Sequence, residues 1–171
     1  MILTNRLTEL VEGNAEPIIE QWKQKIQTAL STTRLSEKEQ QFIEREARNL
    51  LTHLREWLYF KSRSDIGQRY VLIGGKLFNH GIPLCEAHQA LYFLKNLIRG
   101  HVCHHSLSTS ALDVIHLQNF CDQVNLFFDR ANYYLLRGYT ENMNKKIKRL
   151  WNLKDSDIEQ IIYKNSFYQK D

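Results

Sequence analysis

Turn-forming residues are scarce in this chain of 171 residues, with 7 Gly and 2 Pro. A sandwich or barrel of many short strands needs more of both. The scarcity predicts long helices. No stretch approaches the roughly 18 uninterrupted apolar residues of a membrane span, and the first residues, MILTNRLTELVEGN, carry charge from Arg6 onward without a signal-type apolar run. A cytoplasmic protein is the expectation. Cysteine is limited to Cys85, Cys103 and Cys121, an odd and widely spaced set with no CxxC pair. That argues against a disulfide framework, and the three read as small helix-face residues. Also missing are Gly-x-Gly-x-x-Gly, a GKS or GKT phosphate loop, and HExxH. No serine, cysteine or lysine is spaced to join Glu86 or His88 as an activated nucleophile, so the expectation is no enzyme. Charge of one sign is lacking too. Lys and Arg number 23 against 19 Asp and Glu, a net +4, which is too little for a polyelectrolyte binder.

What the chain does have is helical periodicity over the length of one domain. A first tract over 4–30 is interrupted at Gly13, Asn14 and Pro17, with Asn14 placed to cap a new first turn. Ser36 and Glu39 form a capping box for a second helix whose apolar stripe is Ile43, Ala47, Leu50, Leu54 and Trp57. Ser64-Asp65 starts a third helix to about Asn79, in which consecutive Tyr70, Val71, Leu72 and Ile73 predict burial on more than one side. Gly74 and Gly75 inside it lower helix propensity by roughly 1 kcal/mol each relative to alanine. They make sense where another helix backbone crosses closely. Gly81 stops that helix and Pro83 begins the next, which carries Leu84, Ala87, Leu91, Leu94 and Ile98 and ends near GHVCHHSLS.

Ser110 with Asp113 marks the next cap. From there Leu117, Phe120, Val124, Phe127, Ala131, Tyr134 and Gly138 keep the strongest three-four rhythm in the chain. A helix from Ser110 to Leu150 would span on the order of 60 Å, longer than a domain of this size is wide, so its end is expected to project. The phase shifts after Gly138, where Met143, Ile147 and Leu150 predict a stutter or break. Ser156 with Glu159 then caps a short last helix bearing Ile158, Ile161 and Ile162. The domain boundaries read as 1–154 for the helical domain and 155–171 for a short helix or the start of a linker.

The histidines are the first candidates for chemistry. His101, His104 and His105 crowd with Cys103 at a helix end, where two imidazoles could meet one metal, but no paired Cys or His nearby completes a site. The favoured reading is a helix C-terminus whose dipole suits positive charge, with no metal. His53, His80, His88 and His116 are the isolated candidates for a haem axial ligand, His80 and His88 foremost. Solvent-facing histidines are the commoner explanation, and no cofactor is expected. Lys145, Lys146, Lys148, Arg149 and Lys154 form the only basic cluster, read as a solvated helix end or a junction to another protein rather than a nucleic-acid site. The aromatics Phe127, Phe128, Tyr133, Tyr134 and Tyr139 are spaced as core and interhelical contacts. Asp129 and Arg130 interrupt that stripe. Burying them costs several kcal/mol unless they are paired, so they mark a polar network between helices or a subunit contact.

Two segments, FFDRANYYLLRGY at 127–139 and GIPLCEAHQAL at 81–91, resemble the N-terminal sensory domains of the RsbR (RsbRD) type, found in stressosome co-antagonists and related bacterial histidine kinases. The likeness extends over most of the chain, since LTELVEGNAEPIIEQWKQKI is similar to the first helices of that family. The resemblance implies a globin-like all-α bundle of about five to seven helices with a long C-terminal helix, homodimeric, without haem, and relaying a signal to an output domain. Gly81, Ile82, Pro83 and Leu84 would be the corner. Phe127, Phe128, Asp129, Arg130, Tyr134, Arg137, Gly138 and Tyr139 would be the signature and interface residues of the long helix. The family's output partner would be a kinase, STAS or PAS domain, and no such segment lies within these 171 residues. The alternative is a globin-type sensor holding haem or another tetrapyrrole.

Overall fold

A computed structural model describes residues 2–29, 35–105, 110–152, 154, 156 and 157. Among them the chain forms seven helices and no strand: α1 (Ile2–Gly13), α2 (Ala15–Ala29), α3 (Glu37–Thr52), α4 (Leu54–Tyr59), α5 (Arg63–Asn79), α6 (Leu84–His105) and α7 (Ala111–Trp151). The fold is an all-α bundle with a long C-terminal helix. The short last helix expected from Ser156 and the segment after 157 lie outside the described residues.

Local chemistry accounts for most of the boundaries. Asn14 separates α1 from α2: its N–H donates to Val11 O while its own carbonyl accepts from Ile18, so Pro17 falls in a first turn where it forfeits no helical bond. Capping boxes open α3 (Ser36 with Glu39), α5 (Ser62 with Asp65) and α7 (Ser110 with Asp113). The hydrogen bonds from Ser36 hold the Glu39 carboxyl below its usual range, and those from Ser62 do the same for Asp65. The cap of α5 is Ser62 rather than Ser64, because only Ser62 stands three residues before the acid that answers it. α5 ends at Gly81 with φ of 76°, where Gly81 N–H bonds to Phe78 O and Ile82 N–H to Leu77 O. This is the left-handed helix stop that glycine adopts at least cost.

The second predicted helix is two. Thr52 turns its hydroxyl back onto Arg48 O, and His53 leaves the helical conformation at φ −128° and ψ 29°. The break is tolerated because the freed N–H of Arg55 donates to the Glu12 carboxylate of α1, at 2.9 Å. The run Tyr70–Ile73 is also less enclosed than its hydrophobicity suggests. Tyr70 and Ile73 are buried, while Leu72 is 63% exposed.

The core forms around α7. Of the predicted stripe, Phe120, Val124, Phe127, Ala131 and Gly138 are buried while Leu117 and Tyr134 are half-buried and Leu135 takes the inner place beside Tyr134; Val11, Leu54, Ile66, Leu77, Leu94 and Ile98 from other helices complete the core. Trp57, Tyr70, Phe127 and Phe128 stack edge-on or tilted at 5.3–6.4 Å between ring centres. Trp22 of α2 ties the bundle laterally by donating its indole N–H to Ala90 O of α6, at 2.8 Å. The break expected after Gly138 does not occur, and α7 runs unbroken to Trp151, with Asn152 in the left-handed region as its stop. What changes at Gly138 is the surroundings. No described residue of 139–151 is buried, so the shifted apolar phase reflects a helix leaving the core. No described helix is long and apolar enough to cross a membrane.

Candidate functional site

α7 is the element on which the candidate residues converge, and α5 and α6 hold it from two sides. Along α5 the close partners are Gly67 with Tyr134, Val71 with Gly138, and Gly75 with Asn142. Both sets of numbers rise together in steps of four, so the two helices run parallel with facing turns in register. Gly74 and Gly138 are where the backbones meet. A Cβ at Gly138 would strike the Val71 carbonyl, and one at Gly74 would strike the Leu135 carbonyl and lie 2.8 Å from Tyr139 N. The glycine pair foreseen as a close crossing is such a crossing, and Gly138 is its counterpart on α7.

Along α6 the partners run the other way. Asp129 lies 3.6 Å from the Lys95 ammonium, Asn132 Oδ1 is 2.9 Å from His88 Nδ1, and the Tyr139 hydroxyl donates to Ile82 O at 3.1 Å. As the α7 numbers rise the α6 numbers fall, so this seam is antiparallel. The last of these bonds joins the corner 81–84 to α7. Ile82 is 1% exposed, Pro83 and Leu84 are half-buried, and the Pro83 carbonyl accepts the N–H bonds of Glu86 and Ala87 that open α6. Tyr139 also sets its ring edge-on to Phe78 at 5.3 Å, and burial raises its phenol pKa.

The remaining signature residues divide by face. Phe127, Phe128 and Gly138 point into the chain's own core. Tyr134 covers Gly67 and accepts a bond from Arg63 Nε at 3.3 Å. Asp129 and Arg137 are exposed, Arg130 is half-buried, and Arg137 pairs with Glu141 at 2.7 Å. The burial penalty foreseen for Asp129 and Arg130 therefore does not arise. Asp129 instead makes a solvated tie between α6 and α7.

The side of α7 opposite its core stripe is not polar throughout. Ile115, Leu126 and Tyr133 stand on it, spaced by near-whole turns, and are 53%, 42% and 58% exposed. Tyr92 of α6, 52% exposed, borders the same face beside Asp129. Leu150 and Trp151 are bare at the end of the helix, within the basic cluster. Lys145 and Arg149 are exposed, and Lys146 rests its ammonium over the Phe78 ring at 5.5 Å.

A cavity of about 50 Å³ lies among Trp22, Ala47, Leu50, Ile73, Ala90 and Leu94, far below the roughly 300–1,000 Å³ of ligand pockets, and no histidine lines it. His80 is exposed and stacks on Phe42 at 4.8 Å, while His88 is exposed on the α6–α7 seam. His53 is exposed and His116 half-buried on α7. His101 and His105 stack at 4.2 Å, and His105 Nδ1 donates to the His101 carbonyl at 2.8 Å. Burial and the neighbouring His105 hold the His101 pKa below the usual imidazole range. His104 is exposed, and among the described residues no group of three or more His, Cys, Asp or Glu could hold a metal ion.

Two features were not visible in the sequence. Glu86 is 6% exposed with its Oε2 unpartnered. Its place in the first turn of α6, where the helix dipole favours an anion, is the only sequence signal for it. The other is the electrostatic interaction of the Cys121 thiol on α7 with the Cys103 thiol on α6. Compared with known proteins, the chain matches no family model, no curated protein and no solved structure.

Proposed function

We propose that this chain is a non-catalytic signalling module that pairs with a second copy of itself through the outer face of α7. The observation that carries the reading is the solvent-exposed apolar row Ile115, Leu126 and Tyr133 on a helix whose opposite face already fills the core. The pattern of that face favours a like partner over an unlike one. Asp122 and Arg137, Leu126 and Tyr133, and Asp129 and Arg130 lie symmetrically about the peptide bond between Asp129 and Arg130. A second α7 laid antiparallel would set each leucine against a tyrosine and each of these acids against an arginine, the self-complementarity that a two-fold interface requires.

The resemblance to RsbR-type sensory domains supports the same class of function. On that reading the domain is globin-like and cytoplasmic, takes part in bacterial signal transduction, and passes its state to a kinase, STAS or PAS output domain. Sedimentation equilibrium across concentration tests the pairing. A dimer is expected, with Leu126→Glu plus Tyr133→Glu converting it to a monomer of unchanged helical circular dichroism. A strict monomer at high micromolar concentration of the unmodified chain would overturn it.

A further inference from the structure

The α6–α7 seam ends, on the side away from the corner, at a pair of cysteines. Cys103 stands near the end of α6 and Cys121 on the third turn of α7, and they continue the antiparallel series Tyr139–Ile82, Asn132–His88, Asp129–Lys95. Cys121 lies eight residues before Asp129 and Cys103 eight after Lys95, so the antiparallel register that pairs Asp129 with Lys95 sets the two cysteines opposite each other, and the Cys121 thiol interacts electrostatically with Cys103 and Arg99. Arg99 and Cys103 are one helical turn apart, so both face α7 from one side of α6. Cys103 is exposed and Cys121 half-buried, which gives the pair one sulfur that solutes reach and one held behind it. A polar atom on the same face is short of a partner: Arg99 Nε is sequestered from water without a hydrogen bond. This end of the seam is thus polar, incompletely satisfied and open to small solutes on one side.

We infer that Cys103 and Cys121 are a reversible dithiol site, closed into a disulfide by hydrogen peroxide so that the end of α6 is covalently joined to α7. The exposed Cys103 sulfur attacks one peroxide oxygen. The O–O bond breaks, Cys103 becomes a sulfenic acid, and the other oxygen leaves as water. The Cys121 sulfur then attacks the Cys103 sulfur. The S–O bond breaks, a second water leaves with the Cys121 proton, and the S–S bond forms. Two thiols have lost two electrons and two protons, and one peroxide has been reduced to two waters. The division of labour follows the surroundings of each sulfur. Burial and the adjacent Cys103 raise the Cys121 thiol pKa, which leaves the exposed partner to react first, while Arg99 supplies positive charge where the second thiolate develops. Cys85 is also exposed, but it lies at the opposite end of α6 and belongs to no pair.

Peroxide treatment of the dilute, reduced full chain tests the inference, with free thiols alkylated before denaturation and the product mapped by mass spectrometry without reduction. The expected result is loss of the mass of two hydrogens, one Cys103–Cys121 linked peptide, alkylation retained at Cys85 alone, and full reversal by dithiothreitol. Cys121→Ser should leave Cys103 to proceed to sulfinic acid, with no link formed. The mapping of the unmodified chain needs no variant, so it stands even if that substitution impairs folding. Sulfinic acid at Cys103 with Cys121 still alkylatable in the unmodified chain, or links only between chains, would overturn the inference.

Discussion

Along α5, α7 meets backbone with backbone, in parallel, through Gly74 and Gly138. Along α6 it meets side chain with side chain, antiparallel, through Lys95, His88 and the Ile82 carbonyl. The first contact has no slack, because an added methyl group meets a carbonyl that belongs to a helix and cannot step aside. The second is made by side chains, the Asp129 and His88 ends of it exposed, that can shift without moving either backbone. A close crossing specifies where α7 sits, and a polar seam specifies which way it is turned.

Gly138→Ala tests the comparison most severely. The substitution should cost about 3 kcal/mol or more in urea unfolding, since relief of the clash means separating two helices. Tyr139→Phe, which removes only the hydroxyl bond to Ile82 O, should cost about 1 kcal/mol and leave the fold intact. Gly100→Ala reverses the sign. Gly100 is a helical glycine of α6 with nothing within 4 Å of the place a methyl group would take, so alanine there should stabilise the protein by about 0.8 kcal/mol in the same unfolding measurement. Lys95 and Asp129 should show a coupling under about 0.5 kcal/mol in a double-mutant cycle, because the carboxylate is 71% exposed. A large coupling there, or a harmless Gly138→Ala, would dissolve the distinction between the two sides of α7.

Features whose chemistry is confined to neighbouring residues were readable from the sequence. The boxes at Ser36 and Ser110, the stop at Gly81 and the core rhythm of α7 each need only a spacing of three or four. The Ser62 box obeys the same spacing but was hidden by Ser64 directly beside the acid. The glycine pair in α5 announced a close crossing, yet its partner could not be named, since Val71 facing Gly138 is a fact of tertiary register. The break at His53 depends on Glu12, some forty residues away, and could not be inferred locally. Phase alone misjudged 139–151, because a helix that has run out of core keeps its geometry while its apolar residues lose their common side. Of the candidate site, the chain's own spacing marked the corner and the long helix as separate segments. The bond from Tyr139 to Ile82 that joins them, and the meeting of Cys103 with Cys121, depend on how α6 lies against α7.

The clasp at Gly138 also divides α7 mechanically. On one side the helix is bedded in the core, and on the other it runs from Thr140 to Trp151 with no residue fully buried, about 18 Å at 1.5 Å per residue. Tight backbone contact at one point and only side-chain touches beyond it is the arrangement of a fulcrum and an arm. A tilt of about 10° at the glycine would carry the far end sideways by about 3 Å on that rise. Whatever is fastened to that end would feel a displacement that the glycine contact itself scarcely registers.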